Sequence, residues 1–108
     1  MLIVRGVNVF PSAIQDVVSA MAPVVPGVVR VLADFEGHTT QGNLKLLVER
    51  AAGQAPEGDE EVAVQVETRV RNALAVKVDV RMVRHGFFAA PGAQKTQLTL
   101  RKMPDLNG

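Results

Sequence analysis

The sequence contains no cysteine, tryptophan or tyrosine, and only four phenylalanines. Without cysteine there can be no disulfide, no thiolate metal site and no cysteine nucleophile. The shortage of aromatic rings leaves no platform on which nucleic-acid bases could stack. Neither charge sign is in excess: 12 basic residues face 11 acidic ones, for a net charge of +1. This balance argues against a nucleic acid or an anionic membrane as the main partner. No apolar run is long enough to cross a bilayer, and Met1-Leu2-Ile3-Val4-Arg5-Gly6 lacks the layout of a signal peptide. A cytoplasmic location is the expectation.

What remains is an aliphatic sequence. Apolar residues make up 47% of the 108, and valine dominates them. A chain of this length buries roughly 60–70% of its unfolded surface, enough for one core. One domain over residues 1–108 is expected, with a valine-rich sheet packed against helices.

Leu2–Val4 and Val7–Phe10 are short apolar stretches separated by Arg5-Gly6, which predicts a tight hairpin. Pro11 opens a helix, and Ser12 with Gln15 has capping-box spacing. Ile14, Val17, Val18 and Met21 form its apolar stripe, and Pro23 and Pro26-Gly27 end it. Strands are predicted over Val28–Glu36 and Leu44–Arg50, joined by the polar loop Gly37–Asn43. A second helix starts among Glu57, Asp59, Glu60 and Glu61, with Val62, Val66, Val70, Ala73 and Leu74 as its stripe. Val78–Arg84 reads as a further strand, and Lys95–Lys102 as a short strand or an arm. The expected fold is α+β: a small, mostly antiparallel sheet with two helices on one face, a short N-terminal hairpin and split βαβ character.

Catalytic signatures are sparse. His38 falls in a loop and His85 at a strand end, and neither has a metal-type partner one helical turn away. No metal site is predicted. Glu60 and Glu61 are neighbours at a helix start, where acids are favoured for the dipole alone, and adjacent residues point apart. Ser12 is accounted for by capping, and no phosphate-cradling glycine loop is present. Phe87-Phe88 fits either a docking patch or core filling, with at least one ring expected in the core. The chain is too short and too poor in such groups to be a complete enzyme. One segment is not explained by folding alone. Gly6, Pro11 and Ser12 have structural reasons, but Arg5 and Asn8, which flank the turn, do not.

Met1-Leu2-Ile3-Val4-Arg5-Gly6-Val7-Asn8-Val9-Phe10-Pro11-Ser12-Ala13-Ile14 closely resembles the opening of the C-terminal lid domain of phenylacetate–CoA ligases, within the adenylate-forming acyl- and aryl-CoA synthetases. The order of elements that follows agrees with that domain. The resemblance implies an AMP-forming acid–CoA ligase that works in two steps, adenylation and then thioester formation. Its lid rotates between them. It implies that Arg5, Gly6, Val7 and Asn8 form the loop lining the pantetheine tunnel of coenzyme A. ATP with magnesium and CoA are implied for the complete ligase, none being bound by this chain alone. The implied partner is a large N-terminal adenylating domain, in cis or in trans.

Two departures stand out. Gln15 replaces the family's usual Glu, a mild change. The family's tail lysine, which assists adenylation, has no counterpart in register: aligning on Arg101 puts Gln97-Leu98 at the Gly-Lys pair, and aligning on Pro91-Gly92 puts Leu100 at the lysine. Lys95 and Lys102 are the nearby candidates, both out of register. The competing expectation is a stand-alone, non-catalytic module for small-ligand binding or dimerisation, with Val28–Leu32 and Phe87-Phe88 as a homodimer interface.

Overall fold

A computed structural model of the chain describes residues 1–22, 24–89 and 98–102. Strands β1 (Leu2–Val4) and β2 (Val7–Val9) form the N-terminal hairpin, and α1 (Pro11–Ser19) follows directly. Then come β3 (Val29–Leu32), β4 (Thr39–Thr40) and β5 (Leu44–Glu49). A 3-10 turn at Pro56–Gly58 leads into α2 (Asp59–Leu74), which returns the chain to β6 (Val78–Val83). A second 3-10 turn spans Phe87–Ala89, and β7 (Thr99–Leu100) comes last.

The α+β class and the two helices agree with expectation, but the strand pairing does not. There are two sheets, ordered β2-β1-β4 and β6-β5-β3-β7, and both are mixed rather than mostly antiparallel. The antiparallel pairs are β1 with β2 and β3 with β5. The pairs β1–β4, β5–β6 and β3–β7 are parallel. For β5 and β6 the reason is the connection: α2 carries the chain back over the sheet, so β6 starts from the same end as β5.

Both helices cover one face of the larger sheet. Ile14 and Val18 of α1 and Val62, Val66 and Val70 of α2 meet Val29, Val31, Leu44, Leu46, Val48 and Val78 in one buried cluster. Leu2, Val4 and Val9 join it from the smaller sheet, which fixes the hairpin to the rest of the domain. The predicted stripes hold with one exception: Ala73 is exposed, on the solvent side of the last turn of α2.

Ser12 is not the cap. The helix begins at Pro11, which makes Phe10 the N-cap, and no side chain caps the helix. Phe10 is 55% exposed. The phenylalanine pair also departs from expectation. Phe87 and Phe88 are both half-buried, packed edge to face at 5.0 Å. Arg84 and Arg30 stack on the two rings, at 5.3 and 4.8 Å respectively.

The turn that carries these rings is held by a buried acid. Glu49, 3% exposed, accepts hydrogen bonds from the backbone N–H of Gly86 at 2.8 Å and of Phe88 at 3.1 Å. At the same end of the sheet, Arg50 makes a two-pronged ion pair with Asp59, its Nε 2.7 Å from Oδ1. The hydrogen bond to Asp59 holds the Arg50 guanidinium above its ordinary pKa. This pair ties the end of β5 to the start of α2.

Candidate functional site

Arg5 and Gly6 form the two-residue turn of the hairpin, between the paired residues Val4 and Val7. Both have positive φ, 50° and 83°, the signature of a type I′ turn that matches the twist of the strands it joins. A glycine suits this position. Arginine does not: a left-handed conformation at a residue with a Cβ costs about 1–2 kcal/mol.

Neighbouring backbone holds the turn in place. Ile3 N–H donates to the His38 carbonyl at 2.7 Å, and Arg5 N–H to the Thr40 carbonyl at 2.9 Å. The Arg5 guanidinium donates to Asn43 Oδ1, and Asn43 Nδ2 to Asp79 Oδ1, both at 3.3 Å. The hairpin tip is thereby linked to the start of β6. Asn43, which sequence reasoning missed, is the centre of this link.

The tip itself faces outward. Arg5, Gly6 and Asn8 are exposed, while Val7 is half-buried against the core. Among the described residues, Arg5 and Val7 aside, a Cβ built on Gly6 would meet no atom within 4 Å. Among the described residues, the Asn8 side chain makes no hydrogen bond. Arg5, Gly6, Val7 and Asn8 thus form a hairpin tip anchored from behind by the Thr40 carbonyl and Asn43.

Beside the turn is a cleft of about 290 Å³ lined by Asn43, Glu67, Thr68, Arg71, Lys77 and Asp79. Its charges balance. The acids are engaged, Glu67 with the Val80 N–H at 3.1 Å and Asp79 with Asn43.

The tail is described only in part. Lys95 lies outside the described residues, as does Gln97. Leu98 and Leu100 are half-buried, and Leu98 packs on the core. Arg101 fixes this stretch to the loop after β3, donating to the Gly37 carbonyl at 2.8 Å and the Phe35 carbonyl at 3.3 Å. Lys102 follows it, exposed, and no hydrogen bond joins it to the hairpin tip among the described residues. The histidines take the places expected of solvated side chains. His38 is exposed, and His85, also exposed, has Nδ1 3.1 Å from the Arg50 carbonyl.

Among the described residues, no three His, Asp or Glu side chains gather as a metal site would require, and no helix is long and apolar enough to cross a membrane.

An α+β module of two helices and two mixed sheets, with a projecting glycine turn, is the class defined by fold and site. The sequence matches the AMP-binding enzyme C-terminal domain family over residues 6–99, and the chain belongs to that family. Among solved structures it is similar to 2-hydroxyisobutyryl-CoA ligase in the postadenylation state in complex with 2-HIB-AMP. The TM-score is 0.74 at 22% identity, over 92% of this chain and 21% of that one. The same ligase in complex with 2-HIB-AMP and CoA, in the thioesterification state, gives 0.69 at 22% identity over 88% and 20%. A domain of phenylacetate-coenzyme A ligase from Bacteroides vulgatus ATCC 8482 gives 0.67 at 19% identity, over 94% of this chain and 93% of that one. The chain thus spans about a fifth of the hydroxyisobutyryl-CoA ligase. No curated protein matches the sequence.

Proposed function

We propose that this chain is the lid domain of an AMP-forming acid–CoA ligase of the phenylacetate–CoA ligase type. In this reading Arg5, Gly6, Val7 and Asn8 line the path of the CoA pantetheine arm during thioester formation. A large adenylating domain, in cis or in trans, binds ATP with magnesium and the acid.

The observation that carries the reading is the hairpin tip. Arg5 occupies a left-handed conformation that asparagine would adopt more easily, and the Gly6 Cβ direction opens onto solvent. Folding explains the glycine but not the arginine. Backbone strain of this kind concentrates where a segment meets a ligand. The family membership supplies the reaction class, and the structural likeness to a phenylacetate-coenzyme A ligase domain supports the finer assignment.

The test supplies the chain, free or fused, to a phenylacetate–CoA ligase lacking its own lid. Thioester yield from synthetic phenylacetyl-adenylate and CoA is the readout. A rate well above that of the lidless domain is expected. No gain in either arrangement overturns the reading.

A further inference from the structure

β6 forms one edge of the larger sheet. β6 pairs with β5 on one side and, among the described residues, with no strand on the other. The Val80 N–H reaches Glu67 Oε2 of α2 at 3.1 Å, so the backbone of Val80 points away from β5. Backbone direction alternates along a strand. Val78, Val80 and Met82 therefore turn their N–H and C=O groups outward, and Asp79, Arg81 and Val83 turn theirs toward β5. The Val83 carbonyl agrees, accepting from Arg50 N–H at 2.8 Å at the end of β5. A groove lined by Glu60, Ala63, Val80, Arg81 and Met82 runs along this edge between β6 and α2.

An exposed ladder of this kind accepts another strand. The side chains specify which one. Asp79 and Arg81 flank Val80 and are both exposed, alternating along the strand with Val78, Val80 and Met82, of which Val78 and Met82 are buried. Let a second β6 pair antiparallel about a two-fold axis at Val80. The outward groups of Val78, Val80 and Met82 then meet those of Met82, Val80 and Val78 of the partner subunit. Asp79 lies opposite Arg81 of the partner subunit, and Arg81 opposite the partner's Asp79. Moving the axis one residue keeps the backbone in phase but sets Arg81 against the partner's Arg81, or Asp79 against the partner's Asp79. Like charges directly opposite are destabilising. The register centred on Val80 is therefore favoured over its two immediate neighbours, and it is self-complementary, as an isologous contact requires.

We propose that β6 is a self-association edge, through which two copies of this chain join their larger sheets antiparallel about Val80, held by paired Asp79 and Arg81. Glu67 guards the edge. It occupies the Val80 N–H in the single copy and must leave when the second strand arrives. A ladder of one short strand buries less than a standard interface, so the association is weak and concentration-dependent.

Sedimentation equilibrium of the full chain from micromolar to millimolar concentration tests this, with circular dichroism confirming that each variant is folded. Wild type is expected to dimerise. Asp79→Arg and Arg81→Asp should each weaken the dimer about tenfold, since both symmetric pairs become repulsive. The double variant Asp79→Arg/Arg81→Asp should restore it, because opposite charges again face each other. Arg81→Asp is the cleaner single change, as Asp79 also accepts the Asn43 hydrogen bond. Glu67→Ala should tighten the dimer severalfold. The proposal is overturned if wild type and Glu67→Ala both remain monomeric across the range. It is equally overturned if the dimer ignores both charge reversals, or if the double variant stays as weak as the singles. None of these readouts involves ligase activity, so they stand apart from the test of the lid reading.

Discussion

Gly6 allows two roles of one residue to be separated. Its φ of 83° penalises any side chain, yet a Cβ there would touch none of the described residues beyond its two chain neighbours. The stability loss in Gly6→Ala is therefore backbone strain alone. That strain is about 1–2 kcal/mol, and the stiffer unfolded chain returns about 0.4–1 kcal/mol of it. A net loss near 1 kcal/mol lowers the melting temperature by about 4–8 °C. Asparagine tolerates the left-handed region far better. Gly6→Asn should melt within a few degrees of wild type while filling the same space in front of the turn. If that space is the path of pantetheine, Gly6→Asn in a complete ligase should lower thioester formation about a hundredfold, the scale of a misplaced reacting group. Pyrophosphate exchange, which reports adenylation, should be unchanged. Thermal melts and the two half-reactions decide the matter. A Gly6→Asn enzyme that melts normally and forms thioester at full rate refutes the clearance argument.

Two further expectations concern other parts of the domain. Glu49→Ala strips two backbone amides of their acceptor and should cost about 2–3 kcal/mol in a denaturant titration. Glu49→Gln, which keeps one acceptor oxygen, should lose less, and an unchanged midpoint for Glu49→Ala would show that water replaces the carboxylate. In the complete ligase, Leu98→Lys or Leu100→Lys should raise pyrophosphate exchange at whichever position is the true register of the missing tail lysine, by about ten- to a hundredfold. No gain at either position would point instead to Lys95 or Lys102 as a relocated lysine.

Helices and the hairpin were legible because their signals are local. Ile14 and Val18, and Val62, Val66 and Val70, repeat with the helical period, and all are buried. Arg5-Gly6 between two short, mostly apolar stretches is a turn signal that needs no tertiary context. Strand pairing was not legible in the same way. Leu44–Glu49 pairs antiparallel with β3 and parallel with β6, and no residue pattern distinguishes the two. β4 consists of Thr39 and Thr40, whose backbone pairs with β1 while their side chains carry no apolar signal. Pro11 displaced the expected cap at Ser12 because it already supplies a first helical residue with no N–H to satisfy. Arg5, Gly6, Val7 and Asn8 are consecutive, so the turn they form was readable from the residues alone. Asn43 was missed because a polar loop residue is unremarkable until the fold brings it from 38 positions away to Arg5.

The parallel pairing of β7 with β3 has a kinetic consequence. Arg101 bonds the Ala33 carbonyl across 68 positions of sequence, and Val31 lies in register with Thr99. Contacts this distant gain nothing until a long loop has closed, so they form late. The helices and the hairpin can form within themselves first, but the larger sheet stays one strand short until the tail docks. Folding of such a topology proceeds over about milliseconds to seconds rather than microseconds. During synthesis β3 emerges long before its neighbour on that side exists, and its edge is exposed to other chains until residue 100 arrives.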